Sequence, residues 1–248
     1  MTVHFIGAGP GAADLLTVRA TRLLAASPVC LYAGSLSPDD VLSYCSPGTR
    51  LVDTADLTLD EIVAVMVEAD AAGQDVARLC SGDPSVWSAL TEQVRRLEAA
   101  GVPYDVTPGV PSFAAAAAVL RQELTVPAVG QSVVLTRTQA RSTPMPEGER
   151  LAAFAATGAT LALHLAVQRL GALVPELAEH YGWECPVAVV QRASQPGEVV
   201  LRSTLADIGG QVREAGITTA AMIFVGRVLE AHGFPDSHLY SASRNRSR

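Results

Sequence analysis

Three times in its first half, this chain runs a short apolar segment into a loop of glycine, proline and small polar residues, then into a helical pattern. The loops are Gly7-Ala8-Gly9-Pro10-Gly11, Ser81-Gly82-Asp83-Pro84 and Thr107-Pro108-Gly109-Val110-Pro111-Ser112. Val3, Phe5 and Ile6 lead into the first, Val76-Ala77-Arg78-Leu79-Cys80 into the second and Tyr104-Asp105-Val106 into the third. Strand, loop and helix in alternation predict an α/β fold on a parallel sheet. If the three strands are parallel neighbours, their loops converge on one rim. Open α/β sheets bind ligands there, beyond the carboxyl ends of the strands, and glycine permits close backbone approach.

The first loop invites a dinucleotide reading, because Ala12 can replace the last glycine of GxGxxG. Pro10 speaks against it, having no N–H to offer a phosphate. An acidic residue is also wanted about 20 positions on, and no carboxylate follows there until Asp39. A dinucleotide oxidoreductase is thus disfavoured, while a purely structural turn and a site for another small ligand stay open. Asp83 has two readings as well. It accepts hydrogen bonds at a ligand site, or it caps a helix over 86–100 with Pro84 at the first helical position.

The alternation restarts after a stretch over 123–130, with Pro127 in it, that reads as a linker. Strands are expected over 132–137, 160–165, 186–190 and 221–225, and Gln195-Pro196-Gly197-Glu198 reads as a hairpin turn into an antiparallel strand, Val199 to Arg202. Helices are expected over 14–26, 58–73, 147–156, 167–181 and 204–215, with Thr58 and Glu61 forming a capping box. The expected organisation is two α/β lobes of similar size, 1–126 and 127–231, and a polar tail, 232–248. A cleft between lobes is the expected place for the active site.

Composition narrows the ligand. The net charge is −7, and all 18 basic residues are arginine. That balance argues against nucleic-acid binding, which needs a basic face. Without lysine there is no Schiff-base or P-loop lysine chemistry, and arginine is the only permanent cation for a carboxylate-rich ligand. Only 5% of residues are aromatic, so the core must be built from Ala, Val and Leu. Cys30, Cys45, Cys80 and Cys185 form no CxxC pair and read as reduced thiols of a cytoplasmic protein, with no metal site. No apolar run is long enough to span a bilayer, and no basic segment precedes the apolar start, so neither a membrane span nor a signal peptide is expected.

With GAGPG followed by Asp14-Leu15-Leu16-Thr17, then SGDP, PGVPS and a closing Ala221-Met222-Ile223-Phe224-Val225-Gly226, the sequence resembles the tetrapyrrole C-methylases of sirohaem and cobalamin synthesis. The likeness covers nearly the whole length. Tyr32 to Leu36, Gly82 to Trp87 and Arg141 to Glu147 look most like the branch that methylates carbon 11 of precorrin-4. Enzymes of the same fold acting on another precorrin or on uroporphyrinogen III are the alternative. Gly109-Val110-Pro111-Ser112 departs from the small-residue pair common in uroporphyrinogen methylases, and the acidic balance disfavours the ribosomal-RNA methylases of this fold.

The resemblance implies S-adenosylmethionine as cofactor, S-adenosylhomocysteine as product, a small-molecule tetrapyrrole as substrate and a homodimer. Carried over residue by residue, it implies cofactor contacts at Pro10, at Ser81, Gly82, Asp83 and Val86, and at Pro111 and Ser112. In the second lobe it implies Leu165, where many members have methionine, Ala193 and Ala221. Ser35 and Met145 are the substrate-side candidates. No catalytic acid or base is identified, since a sulfonium methyl is already activated. His4 and His164, on apolar strands, read as structural histidines. Arg50, Arg78, Arg137 and Arg141 fall near strand ends and read as solvated surface residues ahead of substrate contacts.

Overall fold

A computed structural model describes residues 1–34, 39–138 and 143–238. Ser35, Arg141 and residues 239–248 of the expected tail lie outside the described residues. The chain divides into two compact units, Met1–Ala115 and Ala116–Arg248.

In the first unit, β1 (Val3–Gly7), β2 (Val29–Tyr32), β3 (Arg50–Asp53), β4 (Val76–Cys80) and β5 (Tyr104–Thr107) form one sheet in the order β3-β2-β4-β1-β5. Every pairing is parallel. The helices are α1 (Val18–Ala26), α2 (Asp39–Leu42), α3 (Leu59–Ala71), α4 (Leu90–Ala100) and α5 (Ser112–Leu120), the last running across the division between units. β1 and β4 are apolar on both faces because both faces are covered. Val3, Phe5, Val76 and Cys80 pack with Ile62, Met66 and Leu97 of α3 and α4. Ile6, Ala77 and Leu79 pack on the other side with Ala20 and Leu24 of α1. Each fully buried leucine or phenylalanine adds about 1.5–3 kcal/mol.

Caps and left-handed residues set the helix starts. α1 begins at Val18, later than its apolar periodicity predicts, because the Thr17 hydroxyl accepts the Ala20 N–H at 3.1 Å and makes Thr17 the cap. α3 starts where expected, with Thr58 and Glu61 in a reciprocal capping box. α4 begins at Leu90 and not at Val86, since Trp87 (φ 49°) and Ala89 (φ 54°) are left-handed and a right-handed helix cannot include them.

The second unit holds β6 (Val133–Arg137), β7 (Thr160–His164), β8 (Pro186–Gln191), β9 (Val199–Thr204) and β10 (Ala221–Val225), ordered β6-β7-β10-β8-β9. β6 and β7 are parallel. The remaining pairs are antiparallel, including the expected β8–β9 hairpin. Its helices are α6 (Leu151–Ala155), α7 (Leu170–Tyr181) and α8 (Ile208–Glu214). α8 starts after the expected Thr204 because β9 continues through Thr204, which pairs with Pro186. Leu161, Leu163, Leu170, Leu177, Val189, Ile208 and Ile223 make the aliphatic core that the composition predicts. The stretch expected as a linker closes into a turn in which Val126 and Gly130 exchange backbone hydrogen bonds at 2.7 and 3.0 Å.

All four cysteines are free, with Cys30, Cys80 and Cys185 buried and Cys45 half-buried. Among the described residues, no helix is long and apolar enough to cross a membrane. His4 is structural, its Nδ1 lying 2.9 Å from the Asp105 carboxylate. Arg50 is exposed and pairs with Glu68 at 3.0 Å.

Arg78 departs from its expectation as a solvated residue: it is 7% exposed. Its Nε donates to Gln93 Oε1 at 3.0 Å, and one Nη donates to Thr54 Oγ1 at 3.2 Å and to the Leu79 carbonyl at 3.3 Å. Burial holds its pKa below the ordinary arginine value. The side chain therefore ties β4 to α4 and to the segment after β3. Arg78→Ala strands these acceptors and opens a cavity, so it should lower stability by about 2–4 kcal/mol, read as a fall in the urea unfolding midpoint.

Candidate functional site

β4, β1 and β5 are adjacent, with Gly7 level with Cys80 and Ile6 level with Thr107. The three glycine loops therefore leave the sheet side by side. The Ala8 N–H donates to the Cys80 carbonyl at 2.8 Å. Gly9 and Gly82 exchange backbone hydrogen bonds at 3.1 and 2.9 Å, joining the first two loops. The third loop packs closer still. A Cβ on Gly7 would lie 2.4 Å from the Gly109 nitrogen, and one on Gly109 would lie 2.2 Å from the Gly82 oxygen. Real Cβ contacts are never that short, so the three backbones touch where no side chain fits. A Cβ on Gly82 would sit 3.6 Å from Pro111 Cα, and its φ of +67° also favours glycine.

Asp83 fastens this contact. Its Oδ2 accepts the Gly109 N–H at 2.8 Å, while Oδ1 accepts the Ser85 N–H at 2.8 Å and the Ser85 hydroxyl. The helix-cap reading is therefore corrected: Asp83 bridges loops, and α4 starts only at Leu90. Partial burial alone would push this carboxyl up, but the bonds from the Ser85 hydroxyl, the Gly109 N–H and the Ser85 N–H outweigh it. The net result is a carboxylate held below its ordinary 3.8. Around it, Ser81 is exposed, Gly82 is buried, and Pro10, Val86, Pro111 and Ser112 are half-buried. All seven expected first-unit residues thus stand on one rim.

The second unit's expected residues share a rim of their own. β10 places Ala221 opposite Gln191 and Ile223 opposite Leu163, so Ala221 at the start of β10 and Leu165 just past the end of β7 lie at one edge of the sheet. Leu165 is 66% exposed and left-handed, with φ 54°. Ala193 lies just past β8 and is buried. The Thr138 hydroxyl donates to the Leu165 carbonyl at 3.4 Å. Arg137, level with His164 on β6, is not simply solvated, because it donates to the Thr143 carbonyl at 2.8 Å. Met145 follows two residues on and is half-buried. Burial pushes His164 down to about 4, so it is neutral at neutral pH. Sequence reasoning missed the contact between Gly7 and Gly109, although both glycines lie in its motifs, and it missed Arg192, next to Ala193.

The donor set of the first rim selects among ligands. Residues 7–12, 81–87 and 107–112 contain no arginine. Their one charged side chain is the Asp83 carboxylate, and Pro10 has no N–H. A pyrophosphate would find no cation and one anion there. A ligand carrying a sulfonium cation, held by backbone groups, fits this set.

Asp83→Asn removes a charged acceptor from three bonds and should cost about 1–3 kcal/mol at pH 7. Because the folded pKa lies below the unfolded value, the ionised group's contribution is present above pH 3.8 and fades as the pH falls through the folded value. The urea-measured gap between wild type and variant should therefore shrink from pH 7 to pH 3.

The sequence matches the family described as Tetrapyrrole (Corrin/Porphyrin) Methylases over residues 2–209. It is 64% identical over 247 residues to a precorrin-4 C(11)-methyltransferase of Rhodococcus erythropolis, covering 100% of this chain and 99% of that one. The crystal structure of a cobalt precorrin-4 methyltransferase superposes with a TM-score of 0.90 at 38% identity, covering 93% of this chain and 96% of that chain. A uroporphyrin-III C-methyltransferase from Thermus thermophilus, solved in complex with S-adenosylhomocysteine, superposes with a TM-score of 0.78 at 29% identity, covering 93% and 94%. The chain belongs to the tetrapyrrole methylase family.

Proposed function

We propose that the chain transfers a methyl group from S-adenosylmethionine to carbon 11 of precorrin-4, giving precorrin-5 and S-adenosylhomocysteine in cobalamin biosynthesis. The observation that carries this reading is the full-length likeness to a relative named for that activity. Cofactor contacts are assigned to Pro10, Ser81, Gly82, Asp83, Val86, Pro111 and Ser112 of the first unit and to Leu165, Ala193 and Ala221 of the second. Met145 is assigned to the substrate side. Bound S-adenosylmethionine supplies an electrophilic methyl on a sulfonium sulfur. What remains for the chain is to hold carbon, methyl and sulfur in line and to exclude water, a task of positioning that needs no acid–base pair. A cytoplasmic homodimer completes the reading.

The test is incubation with methyl-labelled S-adenosylmethionine and a panel of precorrin-4, cobalt-precorrin-4 and uroporphyrinogen III, read by mass and NMR. One new methyl at carbon 11 of a precorrin-4, with or without cobalt, and none on uroporphyrinogen III is the expected result. Label on another macrocycle would overturn the substrate. No transfer to any tetrapyrrole, together with no cofactor binding by calorimetry, would overturn the activity.

A further inference from the structure

Besides Arg121 and Ala128, four left-handed residues of the second unit that are not glycine cluster at one edge of its sheet. Leu165 (φ 54°), Arg192 (φ 51°), Ser194 (φ 66°) and Ala220 (φ 52°) are left-handed without being glycine. They stand at the carboxyl ends of β7 and β8 and at the start of β10, the strand between those two. L side chains rarely adopt this conformation, and it persists only where the surroundings over-determine it. Here they do. The Arg192 N–H donates to the Ala220 carbonyl at 2.9 Å, and the Gln195 N–H donates to the Arg192 carbonyl at 2.9 Å. The Ser194 N–H donates to the Glu198 carboxylate at 2.8 Å, and Gln191 Nε2 donates to the Thr219 carbonyl at 3.1 Å. Arg192 is thus held rigidly on the same rim as Leu165, Ala193 and Ala221.

Its guanidinium differs from those of Arg50, Arg78, Arg137 and Arg202. Arg50 is paired with Glu68, Arg78 is buried on neutral acceptors, Arg137 donates to Thr143, and Arg202, on β9, donates to the Leu120 carbonyl. Arg192 is exposed, and among the described residues no side-chain hydrogen bond or ion pair occupies it. One Nη lies 3.7 Å from where a Cβ on Gly197 would be, so the guanidinium lies over the turn at Gly197. Glu198, the nearest carboxylate in sequence, is already turned to the Ser194 N–H.

We propose that Arg192 is a substrate-binding residue whose guanidinium takes a peripheral carboxylate of the macrocycle. The proposal rests on the reading above that the substrate is a tetrapyrrole, which is a polycarboxylate. A chain of net charge −7 repels such a substrate, and its arginines are the only permanent cations that can receive it. A forked donor on a rigid backbone suits a carboxylate, which it can grip through two parallel bonds. This purpose also accounts for an arginine where glycine or asparagine would sit with less strain.

The test compares wild type with Arg192→Gln, Arg192→Lys and Arg192→Gly, and with Arg150→Gln as a control arginine of the same unit. Arg192→Gln should raise the tetrapyrrole KM about tenfold or more, with kcat little changed and S-adenosylhomocysteine affinity unchanged. Arg192→Lys should recover part of the loss, and Arg150→Gln none of it should show. Arg192→Gly should raise the thermal midpoint while raising KM, a split that a merely structural arginine would not give. Unchanged KM in Arg192→Gln would overturn the proposal. Direct binding of uroporphyrin, followed by fluorescence quenching, separates this failure from failure of the functional reading. Binding weakened by Arg192→Gln in a protein that methylates nothing would sink the activity and keep the contact. No uroporphyrin binding and no methylation by wild type would overturn both.

Discussion

Gly7, Gly82 and Gly109 meet at the ends of three neighbouring strands at distances that admit no Cβ, and most of the first unit is arranged to allow it. The strands must be parallel and in register for the loops to emerge together. The two inner strands, β1 and β4, are buried on both faces because helices cover both sides, and the loops must be free of bulk at the crossing. Asp83 then replaces what side-chain packing would supply elsewhere. One carboxylate accepts from two loops, and those bonds keep it ionised although partial burial works against it. The outcome is a rim built of backbone, poor in cations and rigid in outline.

That rim explains why a chain that opens like a dinucleotide-binding protein is not one. Helix-adjacent glycine loops suit phosphate when backbone N–H groups and the positive end of the helix face it. Here Pro10 removes a donor and no arginine stands in any of the three loops. The second unit's rim differs in kind. Its sheet is mixed, and it carries arginine. The two units thus present different chemistries: backbone groups and one anion on the first, an apolar leucine and an open guanidinium on the second.

How far the sequence could be read follows from which forces are local. The strands over 3–7, 76–80 and 221–225 follow from apolar runs bounded by glycine and proline, and the Thr58 capping box from four adjacent residues. The β8–β9 hairpin follows from its turn. Long-range contacts were not legible. Asp83 followed by Pro84 has every local mark of a helix cap, and only the position of Gly109, 26 residues on, makes it a bridge. Arg78 reads as a solvated residue near a strand end until β4 is found between β2 and β1. Arg192 hides because nothing in a single sequence marks a left-handed arginine. The second-rim residues Leu165, Ala193 and Ala221 follow from family likeness alone, and the antiparallel pairing of β10 with β7 and β8 is what puts them at one edge of the sheet.

The glycine crossing is the constraint on which the proposed cofactor site depends, and a pair of alanine substitutions tests this directly. Gly109→Ala places a Cβ against the Gly82 oxygen and Gly7 Cα, whereas Gly148→Ala meets nothing within 4 Å. Isothermal titration with S-adenosylhomocysteine, alongside thermal unfolding, should find Gly148→Ala like wild type. Gly109→Ala should be destabilised by about 2–3 kcal/mol and weakened in binding by about tenfold or more. A Gly109→Ala protein with wild-type stability and wild-type affinity would contradict the account.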